Sequence, residues 1–282
     1  MPRAPRTGTR RAARPGLYAP GDRPRGVAKA LGRGADVVVI GLEDAVAPDR
    51  KAYARAATAE LLRDPQPVPV HVRVNAPACP WGGADLAAVA PAVAPAGLRL
   101  PKVSSPADVV RVTRRTVSAD GGGLALYAPL ETALGIERAH DVATAHPSLR
   151  GIPTGEEDLR TGLGVPEDAG LDWSRSRVVV AARAAGLAPP AESVRPDIRD
   201  LDGLRASCAR APGFPGRAAV HPRQLPVIER ARLPTEEEIE RAETVVKAAA
   251  GEKGAQALSD GRFTDTAVVT AARRVLCPAR RV

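Results

Sequence analysis

The chain has 282 residues, of which 44% are hydrophobic and 26% are charged. This length and composition are typical of a globular protein with one large domain or two small ones. No stretch approaches the ~18 uninterrupted apolar residues that a membrane span requires, so we expect no membrane integration. The three cysteines Cys79, Cys208 and Cys277 are widely spaced, which fits neither a disulfide framework nor a zinc knuckle and favours a reducing compartment.

The formal net charge of +9 permits binding to nucleic acid, an acidic surface or a phosphorylated small molecule. Only five of the 41 basic residues are lysines, a ratio that favours codon bias over a dedicated basic face. Aromatic residues make up 2% of the chain, so we expect no nucleic-acid partner. Residues 1–16 hold five arginines and no acid, and they predict a disordered basic tail rather than a secretory signal. We expect a bacterial cytoplasmic protein.

Short runs rich in Val, Ile and Leu alternate along the chain with longer helix-forming stretches, the pattern of repeated βα units. The candidate strands lie at 17–19, 36–42, 68–74, 97–100, 124–130, 149–154, 192–195 and 217–220. Eight strands with room for a helix after each predict an α/β fold, a (β/α)8 TIM barrel over residues 17–232. An open Rossmann-like sheet is the alternative, but no G-x-G-x-x-G follows the first strand.

The chain continues past the eighth candidate strand with a helical extension, residues 233–282. Thr235 and the glutamates at 236–238 mark the start of a helix over 234–250, because a hydroxyl cap and early acids favour a helix N-terminus. A second helix is predicted at about 265–275, after a polar link at 251–264. We expect this extension to pack on a neighbouring subunit.

Polar side chains follow several candidate strands at their carboxyl ends, where the active sites of such barrels lie. They are Glu43, Asp44, Arg73, Asn75, Glu131, Glu156, Glu157 and Asp158. Carboxylates without a nearby His or Cys cluster suit a hard cation that keeps several waters, so Mg²⁺ is favoured over zinc and Mn²⁺ could substitute. A helix cap is the alternative interpretation of Asp158 taken alone.

Eight short motifs occur in order along the chain. They are LYAPGDRP at 17–24, LEDAV at 42–46, VRVN at 72–75, LPKV at 100–103, LET at 130–132, GEEDL at 155–159, HPRQ at 221–224 and DGRFTD at 260–265. Their ordered set, which covers nearly the whole chain from residue 17, resembles citrate lyase beta-subunit-like proteins of the HpcH/HpaI aldolase superfamily. The resemblance implies a TIM-barrel lyase that cleaves or forms a carbon–carbon bond between an acyl-CoA and a 2-oxo acid, of the citryl-, malyl- or citramalyl-CoA type.

The same resemblance implies roles for the residues at the barrel rim. Glu131 and Asp158 would be the ligands of a Mg²⁺ ion, which acts as a Lewis acid on the substrate oxygen that becomes a carbonyl. Arg73 would neutralise the substrate carboxylate, since its fork suits that group. Glu43 and Asp44 would hold Arg73 or metal-bound water in place.

Residues outside the rim are also implicated. Asp265, or less so Asp260, is implied to reach a neighbouring subunit's site as the acid or base at the acyl carbon, which implies a homo-oligomer, a trimer or hexamer. Arg23, at the first turn of the helix after the first strand, is expected to bind the phosphates of coenzyme A, with Lys29 and Arg25 as alternatives.

Four residues depart from the family pattern and suggest a diverged substrate. Gly41 replaces an aspartate, Pro129 interrupts the fifth strand, Arg195 replaces an apolar residue, and Glu156 replaces a small residue. We expect Glu156 to add charge beside the metal and Pro129 to remove a ladder hydrogen bond. Three other functions stay open: a class II aldolase acting on a free hydroxy oxo acid without CoA, a malyl-CoA-type thioesterase, and a non-catalytic barrel.

Overall fold

A computed structural model describes residues 16–92, 95–116, 123–211, 213–251, 256–257 and 263–279. The described chain divides into two compact units, one within residues 13–229 and one from residue 230 on. Within the described ranges, no helix combines the length and apolar character needed to cross a membrane.

Six parallel strands form the sheet of the first unit: β1 (Gly16–Pro20), β2 (Val37–Gly41), β3 (Val70–Arg73), β4 (Pro95–Arg99), β5 (Leu126–Tyr127) and β6 (Leu149–Gly151). Their order in the sheet follows the sequence without reversal. The alternative of a Rossmann-like sheet is thereby excluded, because its strand order reverses at the middle.

Two further extended segments join the edges of this sheet. Glu192 forms a parallel bridge with Arg217, and Ala219 forms one with Leu17 of β1. The hydrogen bonds between neighbouring segments run from the N–H of Thr154 to Ala191, from that of Ala218 to Glu192, and from that of Ala219 to Gly16. The last segment therefore pairs with the first, and the predicted barrel is confirmed. Its seventh and eighth members contribute isolated bridges in place of the regular strands that we expected at 192–195 and 217–220.

Helices alternate with the strands: α1 (Pro24–Leu31), α2 (Lys51–Leu61), α3 (Gly82–Val89), α4 (Pro106–Thr116), α5 (Ala133–Glu137), α6 (Ala139–Ala143), α7 (Glu156–Leu163), α8 (Asp172–Ala184), α9 (Leu201–Ala209) and α10 (Leu225–Arg230). Alternate residues of each strand point to opposite faces. Val38, Ile40 and Leu98 are fully buried, and they belong to the apolar set that packs between strands and helices.

The barrel interior is polar, although such interiors are usually filled by Val, Ile and Leu. Arg99 of β4 donates a hydrogen bond across the barrel to the hydroxyl of Tyr18 in β1. His71 of β3 stacks on Tyr127 of β5 with ring centroids 4.5 Å apart. Since β1 and β4 are not neighbours in the sheet, contact between their side chains marks the interior face.

The fifth strand is shorter than predicted, and its irregular end includes Pro129. The N–H groups of Ala128 and Leu130 still donate to Gly151 and Pro153, so pairing with the β6 side continues past the proline. Proline has no N–H, so it cannot donate to the ladder. Hydrogen bonds to the β6 side therefore keep the chain extended up to Leu130, which places Glu131 directly after this segment.

The second unit contains α11 (Glu236–Gly251), α12 (Thr266–Ala279) and a short antiparallel pair, β7 (Gln256–Ala257) with β8 (Phe263–Thr264). Its apolar core consists of Ala242, Val245, Ala272 and Leu276. Thr235 and Glu238 exchange the hydrogen bonds of a capping box, as the sequence led us to expect for this helix start. Both predicted helices are confirmed. Packing on a neighbouring subunit stays a prediction.

Candidate active site

A cavity of about 200 Å³ lies where the barrel segments end. Its lining contains ten side chains that are charged or can hydrogen-bond: Tyr18, Asp44, Arg73, Arg99, Glu131, Thr154, Glu157, Asp158, Glu192 and Ser193. Most of them come from the carboxyl ends of barrel segments or the loops that follow, as barrel chemistry requires. The cavity therefore brings together the predicted metal ligands and the predicted arginine.

The two predicted metal ligands converge on one cation. The ammonium of Lys102 forms an ion pair with the carboxylate of Asp158, and its Nζ lies 3.7 Å from Oε1 of Glu131. Burial raises the pKa of Glu131, while the charge and the backbone N–H of Lys102 oppose that shift. Burial lowers the pKa of Lys102, but Asp158 and Glu131 outweigh it and the pKa is raised. Two carboxylates from separate elements thus share a position suited to positive charge.

Backbone geometry places Glu131 at this point. Lys102 has φ +57°, a left-handed conformation that is uncommon for a residue with a side chain. In that conformation its N–H donates to Oε1 of Glu131 at 2.7 Å. Gly155 lies against the other oxygen, because a Cβ on Gly155 would stand only 2.4 Å from Oε2 of Glu131. Only glycine at 155 leaves room for the carboxylate.

Arg73 is held by the two acids that the sequence nominated. Its Nε lies 3.2 Å from Oε2 of Glu43, and its Nη1 lies 3.8 Å from Oδ2 of Asp44. Burial raises the pKa of Glu43 to about 7, against the opposing effect of Arg73. Burial lowers the pKa of Arg73, but the combined effect of Glu43, Tyr18, Asp44 and Glu131 outweighs it and the pKa is raised. Asp44 lines the cavity beside Arg73, whereas Glu43 lies behind it.

A buried lysine that sequence reasoning missed fixes the loop carrying Glu43. The Nζ of Lys51 donates to the carbonyls of Leu42 and Glu43 and to Oδ1 of Asn75, at 2.7–3.0 Å. Asn75 in turn donates to the carbonyl of Leu42 and to Asp85. Asn75 is therefore a structural link between the ends of β2 and β3. No local pattern marks Lys51, because a lysine in a helix is usually exposed.

The expectation that Glu156 adds charge beside the metal is wrong, because Glu156 does not contribute to the cavity lining. Its two carboxylate oxygens accept from Nε and Nη2 of Arg175 in α8, each at 3.0 Å. Both side chains are buried, and Arg175 also binds Asp168 at 2.8 Å. Glu156 does not line the cavity, although its neighbours Gly155 and Glu157 do. In the first turn of α7, the Glu156 side chain contacts Arg175, whereas the Asp158 side chain lines the cavity.

A second buried pair joins the last two barrel segments. Arg217 donates to both oxygens of Glu192, through Nε at 3.1 Å and Nη2 at 2.5 Å, and Nη2 also donates to Ser207. Arg217 further lies 3.9 Å from Glu156. Bidentate arginine–carboxylate pairs fix orientation as well as distance. This pair orients the wall of the cavity that Glu192 lines.

The remaining nominated residues are not among those that line the cavity. Arg23 is the exposed residue that precedes α1, and Lys29 lies in the last turn of that helix. Asp265 is exposed in the second unit, where its Oδ1 accepts from the N–H groups of Ala267 and Val268 and caps α12. Asp260 lies outside the described residues. The roles of Arg23, Lys29 and Asp265 stay predictions.

The carboxylate pair fits a hard divalent cation better than a softer metal. Among the described residues, no group of three or more His, Cys, Asp or Glu side chains could hold a metal ion. Mg²⁺ is commonly bound through one or two carboxylates, with water and substrate supplying the remaining oxygens. Glu131 and Asp158, which already share one cation, provide such a pair. Gly155 leaves room for the Glu131 carboxylate that such a site needs.

The fold and the cavity define an α/β-barrel protein whose cavity combines paired carboxylates with arginine. The model of the HpcH/HpaI aldolase/citrate lyase family matches residues 14–222. The chain belongs to this family, as its sequence motifs led us to expect.

Relatives cover nearly the whole chain. It is 37% identical over 277 residues to a (3S)-malyl-CoA thioesterase of Cereibacter sphaeroides, covering 94% of both chains. It is 36% identical to a citrate lyase subunit beta-like protein of Mycobacterium tuberculosis, covering 94% of this chain and 96% of the relative. The structure of CitE from M. tuberculosis in complex with magnesium, acetoacetate and coenzyme A matches with a TM-score of 0.83 and 34% identity, covering 95% of this chain and 99% of that one.

Proposed function

We propose that the protein is a Mg²⁺-dependent CoA-ester lyase that cleaves or forms a carbon–carbon bond between an acyl-CoA and a 2-oxo acid. The observation that carries the proposal is the convergence of Glu131 and Asp158 on one cation position in a cavity that also contains Arg73. Further support comes from the solved relative whose structure contains magnesium and coenzyme A. Mn²⁺ would substitute, because both ions accept carboxylate and water ligands.

In cleavage, the substrate hydroxyl loses its proton and its carbon becomes a carbonyl, while the acyl carbon gains a proton. Glu131 and Asp158 would hold the cation, which when bound supplies Lewis-acid stabilisation of that oxygen. Arg73, kept rigid by Glu43 and Asp44, would bind the carboxylate of the oxo-acid half. Fixed donors of this kind stabilise developing charge without reorganising.

Two residues that do not line the cavity complete the proposed reaction. Arg23 would attract the phosphates of coenzyme A, since its charge adds to the field at the start of α1. Asp265 of a neighbouring subunit would exchange the proton at the acyl carbon, which requires a homo-oligomer. The tests are the oligomeric state in solution and the loss of activity in Asp265→Asn.

Thioester hydrolysis is the second candidate, favoured by the 37% identity to a malyl-CoA thioesterase over nearly the whole chain. The two reactions differ in which bond of the substrate breaks. The lyase breaks the bond next to the hydroxyl carbon and keeps the thioester. The thioesterase adds water to the thioester carbonyl and releases the coenzyme A thiol.

Mass spectrometry separates these reactions. The purified protein would be incubated with a panel of 3-hydroxyacyl-CoA dicarboxylates, with Mg²⁺ or with EDTA. Metal-dependent formation of a shorter acyl-CoA with a 2-oxo acid supports the lyase, whereas free CoA with an intact hydroxy acid supports the thioesterase. No turnover of any thioester by folded, metal-loaded protein would overturn both.

Matched variants tie the result to the site. Glu131→Gln should abolish turnover, and Arg23→Ala should raise KM for the thioester with little change in kcat. Glu167→Gln, an exposed glutamate at the surface, serves as the control and should leave both unchanged. An Arg23→Ala variant with unchanged KM would remove Arg23 from the coenzyme A site.

A further inference from the structure

A tyrosine hydroxyl lies in the candidate cavity and has no role in the proposed reaction. Tyr18 belongs to β1, and its side chain is one of those that line the cavity. Its hydroxyl oxygen accepts a hydrogen bond from Nη1 of Arg99 at 3.2 Å. Its ring packs against Arg73, whose guanidinium carbon lies 5.5 Å from the ring centroid. Tyr18, Arg73 and Arg99 therefore border one cavity of about 200 Å³.

The direction of the hydrogen bond from Arg99 leaves the tyrosine proton free. A guanidinium donates through its N–H groups and has no acceptor, so the Tyr18 oxygen can only accept in this contact. Tyr18 must therefore direct its own O–H elsewhere. Among the residues that the structure describes, none accepts a hydrogen bond from this O–H. Because the side chain lines the cavity, an oxygen of a bound ligand is within its reach.

Arg99 makes this O–H a stronger donor. Only 8% of Arg99 is exposed, and its Nε is buried without a hydrogen-bond partner. Within the described part of the chain, no carboxylate oxygen lies within 4.0 Å of its guanidinium, whereas Arg73 contacts Glu43 and Asp44. An oxygen that accepts from a charged donor is itself a better O–H donor, and a low dielectric strengthens the effect.

The rings near Arg99 leave its charge uncompensated. Burial, together with the positive charge of Arg99, lowers the pKa of His71 to about 3, so His71 is neutral at pH 7. His71 stacks on Tyr127, whose pKa is raised by burial, so this phenol also stays neutral. The positive field of Arg99 therefore acts on the Tyr18 hydroxyl and on the cavity that both residues line.

The proposed reaction leaves one substrate oxygen without a protein partner. Arg73 would bind the carboxylate, and the cation at Glu131 and Asp158 would bind the oxygen that becomes a carbonyl. When the carbon–carbon bond breaks, its electron pair passes to the acyl carbon and onto the thioester oxygen, which is an enolate until that carbon gains a proton. Thioester hydrolysis also charges this oxygen, after water adds to the carbonyl and before the thiol leaves.

We propose that Tyr18 is a catalytic residue whose O–H donates a hydrogen bond to the thioester oxygen as negative charge develops there, and that Arg99 is the positioning residue that orients and polarises this hydroxyl. The inference rests on the proposed function, because it requires a thioester in this cavity. It applies to the lyase and to the thioesterase alike. Tyr18 keeps its proton throughout, so it stabilises the charge without becoming charged itself. Removal of one such fixed donor typically lowers kcat by about 10²- to 10³-fold.

Steady-state kinetics of Tyr18→Phe test the hydroxyl alone, because phenylalanine keeps the ring against Arg73. The substrate is the thioester that wild-type protein turns over in the panel of 3-hydroxyacyl-CoA dicarboxylates. We expect kcat to fall about 100-fold with little change in KM, since the hydrogen bond strengthens in the transition state. Tyr53→Phe removes the hydroxyl of an exposed tyrosine in α2 and should leave both constants unchanged. A wild-type kcat in Tyr18→Phe would overturn the proposal.

Pyruvate binding separates this catalytic role from a structural one. Pyruvate has the carboxylate and the oxo oxygen that Arg73 and the cation would bind, but it has no thioester. Isothermal titration of full-length protein in excess Mg²⁺ should therefore give the same pyruvate affinity for wild type and Tyr18→Phe. Mn²⁺ affinity, followed by electron paramagnetic resonance, should also be unchanged. Weakening of pyruvate or Mn²⁺ binding as large as the loss in kcat would mean that Tyr18 supports the rest of the site, and would overturn the proposal.

A double-variant cycle tests the role of Arg99. Arg99→Met should lower kcat about tenfold, the lower end of what a hydrogen bond to a charged group gives. Arg99→Lys should recover part of this loss, because it restores the charge without the fork. In the Tyr18→Phe background, Arg99→Met should cost little more, since a group that acts through another is not additive with it. Fully additive losses would overturn the positioning role of Arg99. If Arg99→Met does not fold, Arg99→Lys takes its place in the cycle.

The outcomes also separate this inference from the proposed function. Formation of a shorter acyl-CoA that continues at full kcat in Tyr18→Phe would overturn the role of Tyr18 and leave the lyase standing. Release of free CoA with an intact hydroxy acid, strongly slowed in Tyr18→Phe, would support Tyr18 and overturn the lyase. No turnover of any thioester by wild-type protein would overturn the proposed function and this inference with it.

Discussion

Replacing Arg175 with methionine tests whether the Glu156 carboxylate belongs to a buried ion pair and not to the cavity. The two side chains are 5% and 4% exposed and form two hydrogen bonds of 3.0 Å. Arg175→Met would leave Glu156 buried beside weaker partners, with Thr154 at 3.4 Å and Arg217 at 3.9 Å. Breaking a buried pair by removing one partner costs about 3–5 kcal/mol. Because Arg217 still offers partial compensation, we expect a loss near the lower end, about 3 kcal/mol.

The assay is urea unfolding at pH 7, followed by circular dichroism. Arg177→Met on the same helix is the control, since among the described residues Arg177 donates a single exposed hydrogen bond, to the carbonyl of Glu137. We expect it to cost less than about 1 kcal/mol. The double variant Glu156→Leu/Arg175→Met should recover most of the loss, because no unpaired charge remains buried at that point. Asp168 keeps Arg160 as a partner in both variants.

Two results would contradict a buried ion pair between Glu156 and Arg175. Equal losses in Arg175→Met and Arg177→Met would mean that the pair is not buried in solution. A double variant no more stable than Arg175→Met would mean that the charge of Glu156 is not the cause. Either result would mean that the Glu156 carboxylate is available to the cavity.

Three further predictions concern charges inside the barrel. Lys102→Met removes the cation shared by Glu131 and Asp158, so the free energy of unfolding of the metal-free protein should fall by about 1 kcal/mol. Mg²⁺ should then raise the Tm of this variant more than it raises the Tm of wild type. Equal Tm shifts would contradict this prediction. Glu43 binds a proton more tightly in the folded state, where its pKa is about 7, than in the unfolded state, where it is 4.5. The free energy of unfolding should therefore fall by at most about 3 kcal/mol as pH rises from about 4.5 to 7. Urea unfolding of Glu43→Gln should lack this pH dependence. The pKa of His71 is lowered from 6.5 to about 3 in the folded state, so the unfolded chain binds this proton more tightly. The free energy of unfolding should therefore fall as pH drops from about 6.5 toward 3. His71→Phe should show less pH dependence in urea unfolding over the same range.

Much of the fold was predictable because its signals are local. Strand β2 is a run of branched apolar residues, and the capping box at Thr235 marks the start of α11. The polar residues at strand ends pointed to one rim because parallel strands end at the same edge. Arg73, Glu131 and Asp158 do line one cavity, as expected from their positions alone.

The charged interior was not predictable, because its pairs join distant parts of the chain. Arg175 meets Glu156 across 19 residues, and Arg217 meets Glu192 across 25. In an arginine-rich chain, a single arginine gives no signal that distinguishes a buried partner from an exposed one. For Arg99, the strand position is the one signal of burial. Side chains alternate along a strand, and Arg99 pairs in register with Arg73, so it lies on the same face of the sheet as His71 and Arg73.

Metal binding tests directly whether Glu131 and Asp158 are the ligands of a divalent cation. Binding of Mn²⁺ would be titrated by electron paramagnetic resonance for wild type, Glu131→Gln, Asp158→Asn and the surface control Glu167→Gln. We expect one Mn²⁺ to bind per wild-type and control chain and to be displaced by Mg²⁺. Each cavity variant should bind at least about tenfold more weakly, since even groups outside the ligand set cost 10–100-fold in affinity. Unchanged affinity in both cavity variants would contradict the assignment of Glu131 and Asp158 as the metal ligands.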